Sequence, residues 1–548
     1  MNFKVQESTN KLRGGYYTAE AVSRFLSRWA LKKHPASILE PSCGDGEFVR
    51  AVRAVHDYRL QFTGVEIHPG EAEKARSEAM GARKIKTEIH TCNFLEWYLS
   101  KIDAGISFDA VVGNPPYIRY QYLEPKDQDL AKAIFDKHGL AFTKHTNAWV
   151  PFIIASVSLL APGGRIAMVI PSEILHVLHA EPLRKLLLSE CQRILLIDPS
   201  ELLFEEALQG TVLLMAEKKA APADPSQGVC ILPMGDNEFL KQDPELLCAN
   251  VSYVSGDVLN GKWMKVLLSF EELEVFEKVY HKPTIHRFRN IASVDVGIVT
   301  GANKFFLVDD ATISKYELEE YARPMFGRSD HCPGIIYDCD AHKANRTRGL
   351  PTNFLMIGKI PTSELSDGAR KYIQEGEKDG LHKRYKCRIR TPWYSVPSVY
   401  TTPIGMLKRA HHFPRLILNS AEAYTTDTAY RIHTTTPTVS AEMLVYSFIN
   451  SLTALTAELQ GRHYGGGVLE MVPSEIEKLS IPLGKMDAID LRELDRQIRQ
   501  SISADSILAA QDAIVLKAAG LTKRERETIH EAWRRIRSRR HRSNSEEG

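Results

Sequence analysis

The sequence predicts an α/β protein: a doubly wound, mostly parallel sheet of seven strands, then a second domain of mixed α/β character and a helical, basic tail. Three observations predict it. Short apolar runs alternate with helical stretches through the first 220 residues. That rhythm stops after Ala221-Pro222-Ala223-Asp224-Pro225-Ser226-Gln227-Gly228, which reads as a linker. Beyond about residue 487 the pattern is helical and the charge turns basic. At 548 residues the chain exceeds one core, and the expected domains are 1–220, 221–485 and 486–548.

In chain order, Thr18 is a candidate N-cap for a helix over Ala19 to Leu31. Ala36 to Glu40 reads as the first strand, followed by a glycine turn and a helix from about Glu47. Phe62 to Ile67, Lys84 to Thr91 and Phe108 to Val112 read as the next three strands. A helix over Trp149 to Leu160 leads through Gly163-Gly164 to a fifth strand, Arg165 to Ile170. Arg193 to Asp198 and Thr211 to Ala216 complete the seven. In such sheets ligands sit at the carboxyl ends of the strands, so the residues just after each strand are the candidates.

The first strand ends Glu40-Pro41-Ser42-Cys43-Gly44-Asp45-Gly46. Small residues at Ser42, Gly44 and Gly46 let backbone approach a ligand. Glu40 and Asp45 would repel a pyrophosphate, and neither a GxGxxG nor a phosphate-binding lysine loop is present. An acidic rim suits a cation, such as a sulfonium carrying an amino-acid ammonium. Glu66 closes the second strand, where an acid pairs with ribose hydroxyls. Asn93 and Phe94, after the third, offer an amide for an adenine edge and a ring for its face.

The fourth strand runs into Asn114-Pro115-Pro116-Tyr117. Two prolines stiffen the turn and remove two donors. The Asn114 side-chain oxygen and the Pro115 carbonyl can accept both hydrogens of an amine lying in the plane of a base, while Tyr117 stacks on that base. Such acceptors favour a pyramidal nitrogen and aim its lone pair at an electrophile. The same four residues also read as a plain strand-to-turn transition.

These residues together resemble the class I S-adenosylmethionine methyltransferases, and within them the gamma-class, TaqI-like DNA adenine-N6 methyltransferases. The matching stretches are Gly15-Tyr16-Tyr17-Thr18, Leu39 to Gly46, Glu66, Asn93-Phe94 and Asn114 to Tyr117. Phe204 matches the family's second base-stacking aromatic, and Gln209-Gly210-Thr211-Val212 is also familial. Ala19 stands where a Pro is frequent, and Asn93 where an Asp is frequent.

The resemblance implies S-adenosylmethionine as cofactor. It is expected at Tyr17, Thr18, Glu40, Ser42, Gly44, Gly46, Glu66, Asn93, Phe94 and Asn114, with Thr18 and Glu40 on its methionine part. The implied reaction methylates N6 of an adenine flipped out of double-stranded DNA, with Asn114 and Pro115 holding the amine and Tyr117 and Phe204 sandwiching the base. No metal is required. Host protection in a restriction-modification or related defence system follows, with a cognate restriction endonuclease as a partner. RNA or protein-glutamine methylation with the same tetrapeptide, or a catalytically vestigial DNA-recognition subunit, are the alternatives.

In the second domain, Val294 to Lys304 reads as a strand entering a glycine loop, similar to a stretch opening the family's target-recognition domain. His382 to Arg390 holds five Lys or Arg in nine positions, with Trp393 and Tyr394 close behind. Basic residues among aromatics suit a phosphate backbone, so Lys304, Lys383, Arg384, Lys386, Arg388, Arg390 and Trp393 are the candidate DNA contacts. A solvated charged face is the alternative. Residues 523–542 carry nine Lys or Arg against three Glu, a net +6 in a chain totalling +2. That concentration reads as a DNA footprint or as an exposed tail.

Eight scattered cysteines without a CxxC pair argue against a disulfide scaffold or zinc ribbon and suit a reducing cytoplasm, which the resemblance implies to be prokaryotic, with the protein at the nucleoid. Residues 1–10 are polar, unlike a signal peptide, and the longest apolar run, Ala148 to Ala161, is too short to span a membrane.

Overall fold

The computed structural model describes residues 18–80, 84–199, 210–249, 251–259, 261–464, 466–486 and 489–541. Tyr17, Phe204 and Gln209 lie outside the described residues, as does Gly14 to Tyr16. Two compact units divide between Leu268 and Ser269.

The first unit holds helix α1 (Glu20–Leu31), strand β1 (Ser37–Glu40), helix α2 (Glu47–Val55), strand β2 (Leu60–Glu66) and helix α3 (Pro69–Ala79). There follow β3 (Ile85–Thr91), α4 (Phe94–Lys101), β4 (Phe108–Gly113), α5 (Pro125–Lys137) and α6 (Trp149–Ser158). The last elements of its sheet are β5 (Leu160–Pro171), α7 (Glu181–Glu190), β6 (Cys191–Pro199), β7 (Thr211–Lys218) and β8 (Val229–Met234). The strand order is β3-β2-β1-β4-β5-β7-β6-β8. All neighbours are parallel except β7, which runs antiparallel to both β5 and β6.

This is the doubly wound, mostly parallel sheet expected from the sequence, with one strand added. The eighth strand pairs parallel with β6 from Ile194↔Val229 to Pro199↔Met234. Residues 221–228 are thus a connection inside the first unit, which extends to Leu268 instead of ending near 220. Proline and serine mark where the chain turns, and a connection that carries it across β6 to the sheet's edge has the composition of a linker.

Phe25, Leu26 and Trp29 of α1 are buried in one cluster with Ile38, Ala110, Val112, Ala167 and Val169 from the central strands. Helix α1 begins one residue later than expected. Ala19, with ψ 140°, is its N-cap, and its carbonyl accepts from Val22 N (2.9 Å) and Ser23 N (3.1 Å). Thr18 therefore makes no cap, and its hydroxyl serves elsewhere.

The second unit lacks the βα alternation. Its five-stranded sheet orders Ala292–Val296, Ala429–Thr434, Ile404–Leu407, Leu416–Asn419 and Ile336–Tyr337. A four-stranded sheet contains Ala322–Phe326 at its interior. Near its beginning, strand Ile285–Arg287 pairs antiparallel with Ser480–Pro482, close to its end. The helices beyond 486 are part of this unit and not a separate segment. Asp495 Oδ1 accepts from Ile335 N (2.6 Å) and Ile336 N (2.9 Å), and Asp512 Oδ1 accepts from Ser451 N (2.8 Å).

The basic tail is a helix, Lys523–His541, packed on Ser451–Gln460 and on Phe270–Tyr280. Ile529, Trp533 and Ile536 bury its apolar face. Its cations are largely consumed internally: Arg524 pairs with Glu271 (2.7 Å), Arg534 with Asp505 (3.4 Å), and Arg535 with Glu272. Arg540 pairs with Glu458 (2.7 Å), both buried. The helix is thus packed on the second unit and is not a detached tail. Among the described residues no helix is long and apolar enough to cross a membrane. Nor is any group of three or more His, Cys, Asp or Glu there arranged to hold a metal ion.

Candidate active site

Strand order reverses between β1 and β4, so a crevice opens beyond their carboxyl ends. The turn after β1 is built on two left-handed glycines. At Gly46 (φ +93°) a Cβ would fall 2.9 Å from the Cα of Ala75, so this glycine lets α3 pack against the turn. At Gly44 (φ +50°) a Cβ would meet nothing within 4 Å. Gly46 is thus a packing glycine, whereas Gly44 faces open space.

Glu66 ties that turn to the end of β2. Its Oε2 accepts from Gly44 N (2.9 Å) and its Oε1 from His68 N (2.8 Å). Glu40, the last residue of β1, is 2% exposed, and its Oε2 finds no hydrogen-bond partner among the described residues. Burial, then the charges of Glu66, Asp45 and Glu47, hold its carboxyl well above the usual range. Arg50 opposes this weakly because it is spent on Asp45 (3.1 Å) and Glu47 (2.7 Å). Burial and the same two carboxylates, Glu40 and Glu66, also push the Cys43 thiol up. A buried carboxylate oxygen with acidic neighbours demands a proton or a cation.

Strand β4 ends at Gly113 (φ +150°), where a Cβ would lie 3.5 Å from Pro41 and 3.6 Å from Glu40 Cγ. The Asn114 backbone thereby meets the glycine turn. Ser42 Oγ donates to the Asn114 carbonyl (2.9 Å), and Asn114 Nδ2 donates to Thr18 Oγ1 (3.3 Å). Glu40, Ser42, Asn114 and Thr18 therefore come together, with Pro115 buried and Tyr117 half-buried.

The chain after Tyr117 is clamped by residues that sequence reasoning missed. Asn147 Oδ1 accepts from Tyr120 N (3.1 Å), its Nδ2 donates to Glu173 Oε2 (3.1 Å), and Ala148 N donates to Ile118 O (3.0 Å). The available signal was the polar pair Thr146-Asn147, buried immediately before an apolar helix.

Asn93 is engaged with protein on both sides. Its Oδ1 caps α4 through Leu95 N (2.9 Å), and its Nδ2 donates to Asp127 Oδ1 (3.0 Å). Asp127, whose carboxyl burial raises, thus joins the end of β3. Phe94 is 2% exposed, its ring packed on Phe152 (5.2 Å) and Trp97 (6.1 Å).

Of the basic candidates in the second unit, Lys304, Lys383, Arg384, Lys386 and Arg388 are exposed. Arg390 is half-buried and Trp393 is buried, so Trp393 offers no ring at the surface. Arg390 donates to the carbonyls of Thr300 (2.7 Å) and Val299 (2.6 Å), pinning the glycine loop. Trp393 is buried against Phe305 (5.0 Å) and donates to Glu377 (3.0 Å), because Gly376 leaves room for its ring.

Residues 58–204 match the Eco57I restriction-modification methylase family, and residues 260–516 match the C-terminal domain of the type II methyltransferase M.Eco57I. The type II methyltransferase M.AccI of Acinetobacter calcoaceticus is 25% identical over 516 residues, covering 89% of this chain and 87% of that protein. M.XamI of Xanthomonas campestris pv. amaranthicola is 23% identical over 486 residues, covering 86% and 85%. Among solved structures, the type IIL restriction-modification enzyme MmeI, determined in complex with DNA, shares the fold. Its TM-score is 0.55 at 12% identity, over 95% of this chain and 71% of that one. The two family matches together take in most of the chain, which carries Eco57I-type restriction-modification methylase domains and is similar over most of its length to type II methyltransferases.

Proposed function

We propose that the chain transfers a methyl group from S-adenosylmethionine to the exocyclic N6 of an adenine flipped out of a specific double-stranded DNA site. The first unit would carry the chemistry and the second would recognise the target. The observation that carries this is the buried, acid-surrounded Glu40 beside Asn114, joined through Thr18 and Ser42 at the sheet's switch point. The donor set fits the cofactor: Glu40 Oε2 suits an ammonium, Gly44 leaves space for a ligand, and Glu66 stands at the strand end where ribose hydroxyls bind.

When bound, the cofactor supplies an electrophilic methyl on a sulfonium. The chain's own residues then do the rest. Asn114 Oδ1 and the Pro115 carbonyl accept the two amine hydrogens, which holds N6 in plane with its lone pair directed outward. Tyr117 stacks on the base, worth about 1–3 kcal/mol and thus comparable with the few kcal/mol of flipping. Phe204, outside the described residues, supplies the opposite ring. The rate comes mainly from positioning. The N6 proton leaves to water after attack.

Tritium transfer from labelled S-adenosylmethionine to duplex DNA tests this. Asn114→Ala should abolish transfer with cofactor affinity nearly unchanged. Retained turnover, or label only on RNA or polypeptide, overturns it.

A further inference from the structure

The second unit presents an exposed apolar cluster inside its basic surface. Tyr385 is 63% exposed and Ile389 61% exposed, on and just after the short helix Tyr385–Arg388. Val299, 38% exposed, lies on the loop that Arg390 holds by two backbone bonds. The fit between loop and helix is close, since a Cβ on Gly301 (φ +79°) would fall 2.7 Å from Lys386 Cβ. The segment that carries Tyr385 and Ile389 is thus braced against the loop 299–301.

Around them Lys383, Arg384, Lys386 and Arg388 are exposed, and none has a carboxylate within 4 Å among the described residues. Lys386 and Arg388 lie instead over the Tyr385 ring, at 5.7 and 5.8 Å. The tail helix differs, because four of its arginines are matched with Glu271, Glu272, Asp505 and Glu458. Charge left unmatched on a rigid surface marks where a polyanion lies. Large apolar groups at the centre of such a surface have a known use: wedges that press between base steps while surrounding cations hold the phosphates.

We propose that Tyr385 and Ile389 form a wedge that inserts into a groove of the target duplex and opens a base step, with Lys383, Arg384, Lys386 and Arg388 on the flanking phosphates. This rests on the reading of the chain as an enzyme acting on duplex DNA, and extends it to how the second unit engages its site.

The test uses the full chain and a duplex bearing the sequence that the wild-type protein methylates, mapped by single-molecule sequencing, beside a random duplex. Tyr385→Ala/Ile389→Ala should bind the mapped duplex roughly tenfold more weakly while the slope of affinity against salt stays unchanged. Fluorescence energy transfer between the duplex ends should show a smaller bend. Lys383→Ala/Lys386→Ala should instead weaken both duplexes alike and lower the salt slope by about 0.9 for each phosphate no longer neutralised. Tyr385→Phe/Ile389→Leu, which keeps the apolar bulk, should restore binding and bend. Wild-type affinity and bend in the double alanine variant overturn the wedge, as does a changed oligomeric state of that variant in the absence of DNA. A wild-type protein that methylates no duplex overturns the underlying reading instead.

Discussion

The Asn114 amide nitrogen points at the Thr18 hydroxyl across 3.3 Å. An amide has two ends, so this bond turns the Asn114 oxygen to the opposite side, where the proposed amine would lie. Thr18 precedes α1 and Asn114 follows β4, and the bond makes the start of the described chain a support for the tetrapeptide.

Thr18→Val should therefore leave the fold intact but free the amide to rotate. The single-turnover rate of methyl transfer is expected to fall between about tenfold and a hundredfold. Thr18→Ser keeps the acceptor and should restore most of the rate.

Glu40 predicts a pH dependence with a definite sign. Burial and neighbouring acids raise its carboxyl, so the folded, ligand-free protein prefers the neutral form. A raised acid is favourable below its unfolded value, and that contribution is lost as pH rises toward the folded value. A cationic ligand reverses the preference and expels the proton. Cofactor affinity should thus climb with pH, with proton release visible by calorimetry in buffers of different ionisation enthalpy. Glu40→Gln should flatten the profile, weaken binding and raise the melting temperature of the ligand-free protein at neutral pH.

The two turn glycines should separate packing from binding. Gly46→Ala drives a Cβ into the Ala75 backbone at positive φ and should destabilise the first unit by about 1–3 kcal/mol or more, measured by urea unfolding. Gly44→Ala meets no atom. It should cost about 1 kcal/mol of stability and show its main effect as lost cofactor affinity.

Arg540 and Glu458 form a buried pair, 0% and 1% exposed at their side chains. Burial alone would raise the Glu458 carboxyl, yet His463 and Arg540 together pull it down to about 2 from an ordinary value of 4.5. The stability this contributes is present above 4.5 and lost as pH falls toward 2, so acid unfolding of the second unit should begin in that window. Arg540→Ala strands a buried carboxylate and should cost about 3–5 kcal/mol. Denaturant unfolding followed by tryptophan fluorescence checks both.

Much of the site was legible because apolar strands announce where they end. Once Ala36 to Glu40 and Phe108 to Val112 are parallel neighbours, Glu40 and Asn114 must meet. The supporting contacts were not legible. Asn147 clamps Tyr120, and Asp127 takes the Asn93 amide, through tertiary hydrogen bonds that leave no periodic trace. Trp393 misled because an aromatic beside basic residues looks the same in sequence whether it faces a ligand or the core. Only the space above Gly376 decides. The packing of the tail helix was hidden for a related reason, since its acidic partners, Glu271, Glu272 and Glu458, come from distant parts of the chain. The eighth strand was hidden by the turn residues that introduce it.

The second unit clasps itself: the helix Phe270–Tyr280 lies on Lys523–His541, and Ile285–Arg287 is zipped to Ser480–Pro482. Its earliest and latest segments are thus mutual neighbours, and among the described residues no strand of its sheets is borrowed from outside. A piece with that topology can be handed from one gene to another as a single uninterrupted cassette. On the proposed division of labour, exchange of this unit should change which sequence is addressed and leave the methyl-transfer chemistry of the first unit as it was.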